Sequence, residues 1–575
     1  MARLLAWATV VGPLLVVVSP WLAQTATYGI RDWDVETSHR YLQQLSLLHY
    51  GEAPFWNPYA CGGFPAWGFI EGGTIVVSPW LPAYLTLPVR LALRVEVVGS
   101  GLLGALGAYA VAGRFTRSYA GRALVVALWA VDSRWALQAA AGHTWHLLYA
   151  WMPWCLYFFE RSGERRARFR HTLALAVCFA LLVYGGGIYP LPHVVVTLAL
   201  YAGALAIAGR SLGPIRRLLL PGALGAMLAA PKLLPMLHEF ARTPRLVEST
   251  EVTSAHVLWL AIAGREQTLR ARLAVLPYGW HEYGMYVSLA GIVILVLAVA
   301  FVWGRRETIL KGIGLLFLVL AMGSFGAAAP WTLVHAHVPF FASQHVPTRF
   351  LYPSLLLLAI VAGSGLGRLV SRRRWLDGVG AALVLALGVD LATVARQSMV
   401  ESMRLTAPSI TAGETFHHEQ VAPFHYKPAD FAVPMYLSML GNAGVIECYG
   451  VPLLDRIGAR SVTDPGFEGE VTVTPHADAR VVEWSPNRAV FALGAVSAGS
   501  TLVYNMNYDD GWRSEQGDVL DVDGRVGVRL ERPAERVTLT YRPRLLAPGI
   551  VLGLLGALAC LVLGWRERRS RALGS

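Results

Sequence analysis

The chain has 575 residues, 55% of them hydrophobic and only 15% charged, with a mean hydropathy of +0.47. A soluble domain could not bury that much apolar surface, so lipid must solvate most of it. The formal net charge of +12 does not point to nucleic acid. The basic residues come in short clusters between apolar stretches, as in the cytoplasmic loops of membrane proteins.

Met1-Ala2-Arg3 runs into an apolar stretch long enough to span and without a small-x-small cleavage site, so it reads as a retained first helix. Spanning stretches are expected at 4–24, 95–113, 121–140, 144–160, 171–190, 192–209, 217–237, 285–303, 312–334, 349–368, 375–395 and 546–565, about twelve helices. The segment 74–92 is ambiguous, because Pro79, Pro82 and Pro88 free backbone groups that lipid cannot satisfy. If it does not span, the clusters Arg114/Arg117/Arg122, Arg161/Arg165/Arg166/Arg168/Arg170, Arg210/Arg216/Arg217, Arg305/Arg306/Lys311 and Arg368/Arg372/Arg373/Arg374 share the cytoplasmic side with the basic tail after 565. The positive-inside rule therefore makes 74–92 a re-entrant or interfacial element.

The expected organisation is a transmembrane domain over 1–395 with a first extracytoplasmic loop at 25–94. An extracytoplasmic domain follows over 396–545, and a last helix with its basic tail over 546–575. In the second domain Val526, Val528, Leu530 and again Val537, Leu539, Tyr541 alternate with polar residues, with Gly511, Gly517 and Gly524 as turns. That is the period of half-buried strands, and 466–545 reads as a small β-sandwich. Trp512 is expected to pack inside it. Five cysteines are too few for a disulfide framework, and Cys61 and Cys448, both on the outer side, are expected to stay unpaired.

Candidate chemistry begins at Arg31-Asp32-Trp33-Asp34, just past the first helix. Two carboxylates at the membrane surface suit a general base or a divalent ion; the plainer reading is that one of them caps the helix that starts near Val35. Farther on, Pro54-Phe55-Trp56-Asn57-Pro58-Tyr59-Ala60-Cys61-Gly62-Gly63-Phe64-Pro65 combines interfacial aromatics with glycines that let backbone approach a ligand. Lys232 lies within an apolar helix, where an ion is functional or else snorkels to the surface. His143 and His146 sit three apart at an outer helix end, without a third ligand fixed by spacing, so they read as cavity-lining groups with His193 rather than as a zinc site. Gly185-Gly186-Gly187 marks a helix break at the same face.

The acidic first loop followed by PFWNPYACGGFP resembles the YfhO-like membrane proteins of the GT-C superfamily of polyprenyl-phosphate-dependent glycosyltransferases. APKLLPMLHEFARTPR, PFFASQHVPTRFLYPSLLLLAIVAGSGLG and the C-terminal NYDDGWRSEQGDVLDVDGRV extend the resemblance over nearly the whole chain. It implies a bacterial inner-membrane enzyme that moves a sugar from a polyprenyl phosphate to an envelope glycan or lipid acceptor outside the cytoplasm, with inversion and without a required cofactor, a divalent metal being optional. By that resemblance Asp32, or Asp34 two residues on, is the base. Arg349 is expected to meet the donor phosphate, with His345 standing where the family motif has arginine; Lys232 is a second candidate for its intramembrane charge, and Arg242 and Arg245 are third, read first as lipid-headgroup contacts. Trp56, Asn57, His143, His146, His193 and Glu282 surround the acceptor. The alternatives are a flippase or transporter of a lipid-linked glycan, which predicts internal symmetry between halves, and a non-catalytic scaffold with the same fold. A cavity shared by Asp32, Arg349 and Lys232 would discriminate among them.

Overall fold

The structure, a computed structural model, describes residues 1–164, 168–270, 277–429, 434–449 and 456–573; Arg165 and Arg166 of the expected cytoplasmic cluster lie outside these. Among the described residues, eight segments are long and apolar enough to cross a membrane: Ala2–Ala23, Val89–Ala112, Pro190–Gly209, Gly213–Arg242, Trp280–Phe301, Pro347–Val370, Trp375–Ser402 and Leu546–Glu567. Other expected spans are assembled from shorter pieces. The stretch 121–140 breaks into Tyr119–Ala130 and Ser133–Ala141, because Asp132 Oδ1 accepts from Arg134 N at 2.6 Å and starts a new helix. The stretch 144–160 opens as a 3₁₀ helix, Thr144–Trp151, before Met152–Arg161.

The ambiguous segment 74–92 holds only the six-residue helix Leu81–Thr86 before Pro88 leads into Val89–Ala112. Six residues rise about 9 Å, far short of a bilayer. The start of Val89–Ala112 sits beside the end of the first helix, where Arg90 Nη1 donates to Ala26 O at 2.9 Å and Arg94 Nη2 to Thr27 O at 2.9 Å. Twenty-four residues at 1.5 Å each carry the chain ~36 Å to the opposite end. There Arg114 pairs with Glu164 at 2.7 Å and Arg306 with Glu160 at 2.8 Å. The structure thus gathers these arginines at the end of the bundle opposite the first loop.

Residues 471–541 form two four-stranded antiparallel sheets. The strands are β1 (Val471–Thr474), β2 (Ala479–Ser485), β3 (Arg488–Leu493), β4 (Thr501–Asn507), β5 (Trp512–Ser514), β6 (Gly517–Val522), β7 (Arg525–Leu530) and β8 (Arg536–Tyr541), ordered β6-β7-β4-β1 and β2-β3-β8-β5. Val526, Val528, Leu530, Val537, Leu539 and Tyr541, the residues that set the period of two, are all 1% exposed or less. Trp512 lies in that core, as its burial preference requires.

The first loop contributes to the same core. Trp56 packs against Trp512 and Tyr541, ring centroids 5.3 and 4.7 Å away. Asn507 Nδ2 donates to Cys61 O at 2.7 Å and Gly63 O at 2.9 Å. Gly63 has φ +100°, and a Cβ there would lie 2.7 Å from the Trp56 ring, so this tight turn demands glycine. The expectation of unpaired thiols is corrected here: Cys61 and Cys448 form a disulfide, Cα atoms 5.2 Å apart. Spacing could not reveal it, because the parallel bridge from Ala60 to Val445 brings together segments 387 residues apart. The last helix, Leu546–Leu573, returns along Gly213–Arg242 through Gly549, Gly553 and Gly556, whose bare Cα atoms sit against Ala230, Pro231 and Met227.

Candidate functional site

The helix Trp33–Leu45 begins immediately after Asp32, yet the Asp32 carboxylate makes no capping bond to it. The chain before it is fixed instead by backbone pairing of Tyr28 and Gly29 with Leu405 and Met403. Arg31 takes φ +60° and its Nη2 donates to Leu269 O at 2.6 Å. The carboxylate of Asp32 is thereby left for other partners. Gly142, φ +94°, crosses the start of this helix so closely that a Cβ would lie 2.5 Å from Trp33 N and 2.7 Å from Asp32 C. That close crossing, sealed by Asp32 N donating to Ala141 O at 3.2 Å, sets His143 Nε2 3.0 Å from Asp32 Oδ2. The Tyr449 hydroxyl, one residue past the disulfide, hydrogen-bonds the same Asp32 carboxylate.

The polarity of the next layer follows from Gln138. Its Nε2 donates to His281 O and, at 3.2 Å, to Glu282 Oε2, so its Oε1 is the acceptor facing His143 Nδ1. His143 therefore carries a proton on Nδ1 and turns its Nε2 toward the Asp32 carboxylate. Glu282 in turn holds Arg349 from two sides, with Arg349 Nε on Oε2 at 3.0 Å and Nη2 on Oε1. The guanidinium stacks over Tyr189 and Trp145 at 4.1 and 4.5 Å. No described residue accepts from its Nη1.

Asp32, Arg349, His143 and Glu282 share the wall of one cavity of about 290 Å³, with Arg245, His345, Glu36 and Glu71 around it. Glu36 was not anticipated, although it lies four residues after Asp32 and so on the same helix face. Burial pushes its carboxyl up to about 7 against the pull of Arg40, and Thr144 Oγ1 donates to it. Burial, then the charge of Arg349, hold the His345 imidazole down at about 3. It is therefore neutral near pH 7, and its part at a phosphate would be that of a single uncharged hydrogen-bond donor. Arg245 reaches the cavity while paired through Nε with Glu71 at 2.8 Å.

The other anticipated residues lie elsewhere. Asp34 is 1% exposed and accepts from Tyr426 Oη at 2.7 Å and Tyr436 N at 3.3 Å, facing away from the cavity. Lys232 is buried and donates to Trp67 O, Phe69 O and Gly72 O at 2.7, 3.2 and 2.7 Å. Its charge tethers the first loop and does not share the Asp32 cavity. Arg242 pairs with Asp509 at 2.8 Å on the β-sandwich. His146 packs among Trp145, Tyr149 and Tyr352, and His193 beside Tyr149 and Phe350, both fully enclosed. Trp56 belongs to the sandwich core, and Asn57 closes the loop turn by exchanging backbone bonds with Phe64 at 2.9 and 3.0 Å.

No protein-family model matches the chain, and no curated protein sequence matches it. Among solved structures the chain is similar to the arabinofuranosyltransferase AftD from Mycobacteria, at 17% identity and TM-score 0.48 over 77% of this chain and 32% of that one. It is also similar to the Archaeoglobus fulgidus oligosaccharyltransferase, in a complex with Zn and sulfate, at 12% identity and TM-score 0.40 over 77% of this chain and 62% of that one. The chain spans about a third of the length of AftD.

His143, His281 and Glu282 bring one ligand atom each within 4.8 Å of one another, a set that could hold a metal ion. His281 was missed in the sequence because nothing there ties 281 to 143. The fit to an ion is poor, since Glu282 already spends both oxygens on Arg349, and His143 spends its two nitrogens on Gln138 and Asp32. An ion would have to displace Arg349 from a buried carboxylate, at a cost of several kcal/mol.

Proposed function

We propose that this chain is a GT-C-type membrane glycosyltransferase, allied to the YfhO-like proteins, which uses a polyprenyl-phosphate sugar and works on the extracytoplasmic face of a bacterial inner membrane. The observation that carries the reading is that Asp32 and Arg349 face one cavity at the end of the bundle away from the arginine clusters. A base is needed at the acceptor hydroxyl and fixed positive charge at the departing phosphate. Asp32, hydrogen-bonded to His143, accepts the hydroxyl proton as the acceptor oxygen bonds to the anomeric carbon on the face opposite the phosphate. The bond from anomeric carbon to phosphate oxygen breaks, and the electron pair leaves on the lipid phosphate, where the free Nη1 edge of Arg349 and the nearby Arg245 meet it. The configuration inverts.

The scheme routes no step through a metal, because Glu282 and His143 are already partnered and leave only the buried Nδ1 of His281 unclaimed in that trio. The test is a radiolabelled or fluorescent polyprenyl-phosphate sugar panel given to purified protein in lipid nanodiscs, with and without chelator. Transfer or slow donor hydrolysis with at least one sugar, unaffected by chelator, is expected. Inertness toward the whole panel, with the donors bound or not, would contradict the enzymatic reading.

A further inference from the structure

A second cavity, of about 250 Å³, opens between the first loop, the end of the helix Gly213–Arg242 and the β-sandwich. Its first-loop wall carries Gly63, Gly68 and Phe69; its sandwich wall carries Tyr508, Asp509 and Asp521; Glu239 and Phe240 come from the helix. The first loop is tied to the sandwich by Asn507 Nδ2, which donates to Cys61 O and Gly63 O at 2.7 and 2.9 Å, and the helix is tied to it by the Arg242–Asp509 pair at 2.8 Å, so this is a built space. Its charged groups are mixed: the carboxylates of Glu71, Glu239, Asp509 and Asp521 face the guanidinium groups of Arg242, Arg245 and Arg456. Such a lining repels a strong anion about as much as a strong cation. It offers planar acceptors and planar donors side by side over apolar side chains at Phe69 and Phe240. Vicinal hydroxyls, each both donor and acceptor, match the first feature, and the C–H face of a sugar ring matches the second. Glu71 and Arg245 line this cavity and the Asp32 cavity alike, their ion pair standing at the boundary between the two.

We propose that this second cavity seats a neutral oligosaccharide, the acceptor chain, and presents its terminal hydroxyl past the Glu71–Arg245 pair toward Asp32. The site rests on the transferase reading for the fate of the glycan, but glycan binding itself does not. Acceptor choice then resides in the β-sandwich, through Tyr508 and Asp521, and not in the membrane bundle.

The test is calorimetric titration of the full chain in nanodiscs with four neutral trisaccharides, maltotriose, mannotriose, galactotriose and chitotriose, and with a sulfated trisaccharide. Saturable binding of at least one neutral trisaccharide is expected. Asp521→Asn, which keeps the acceptor for Gly524 N, and Tyr508→Ala should each weaken it about tenfold, the loss of one charge-assisted or stacking contact, with thermal midpoints confirming the fold. Absence of binding by all four, preference for the sulfated sugar, or affinity indifferent to both sandwich variants would overturn the proposal. With a working donor assay the two readings separate. Transfer whose acceptor KM ignores Asp521→Asn sinks this site alone, and trisaccharide binding without any transfer sinks the transferase reading alone.

Discussion

Arg349 carries two roles that substitution can separate. Its guanidinium neutralises Glu282, whose side chain is 3% exposed, and leaves Nη1 toward the cavity. Arg349→Ala leaves that buried carboxylate without its countercharge, with only the Gln138 amide still donating to it, which costs about 3–5 kcal/mol, and removes stacking on Tyr189 and Trp145 worth about 0.5–2 kcal/mol. Removing both partners together, Arg349→Ala with Glu282→Ala, abolishes the stranded charge and should recover most of the loss, giving a coupling of about 3 kcal/mol in a double-mutant cycle. Donor binding should behave otherwise. The double variant folds but lacks the phosphate contact, so its affinity for a polyprenyl-phosphate sugar should fall about 10- to 150-fold, as for one charge-assisted hydrogen bond. Thermal midpoints in nanodiscs and titration with a fluorescent donor measure the two effects separately. A double variant as unstable as Arg349→Ala, or one with wild-type donor affinity, would refute this division of roles.

Burial holds the carboxyls of Asp34 and Glu36 up at about 7. The folded state therefore binds more protons than the unfolded one between the ordinary carboxylate range and about pH 7, and the thermal midpoint should fall as pH rises through that window and level off above it. Asp34→Asn should flatten part of this slope, leaving the share of Glu36; an unchanged slope would contradict the assignment. Trp512→Ala should cost about 3–5 kcal/mol and lower yield or thermal stability, whereas intact folding with turnover abolished would show that Trp512 binds substrate. Replacing Cys61 and Cys448 by serine should cost about 2–5 kcal/mol and, because Tyr449 adjoins the bridge and bonds Asp32, should also slow turnover in the folded fraction. Wild-type stability and rate in that variant would dispose of the link.

Local periodicity made the sandwich legible, because Val526, Val528 and Leu530 need only alternate to declare a buried face. Spans containing strong local competitors were less so: Asp132 can cap a new helix wherever it stands, and it splits a stretch that hydropathy alone joins. The first loop advertised Asp32 and Asp34 alike, and what distinguishes their surroundings lies far off in the chain: Asp34 accepts from Tyr426 and Tyr436, 392 and 402 residues away. Lys232 illustrates the converse: an intramembrane charge looks functional until the carbonyls of Trp67, Phe69 and Gly72 are seen to satisfy it. Glu36 was legible at four residues from Asp32 and was overlooked because it is not part of the DxD pair. The Glu282–Arg349 pair could not have been read from spacing, since a loop and the start of a different helix meet only in the folded bundle.

Whether Asp32 takes the acceptor proton is read from turnover of Asp32→Asn against Asp34→Asn, each with measured donor binding. Asp32→Asn should fold and bind the lipid donor, yet turn over about two to four orders of magnitude more slowly. Asp34→Asn, buried on the other side of the helix, should keep turnover within a few-fold of the wild type in its folded fraction. Near-normal turnover in Asp32→Asn would contradict the account, and an inactive, well-folded Asp34→Asn beside it would move the base two residues along.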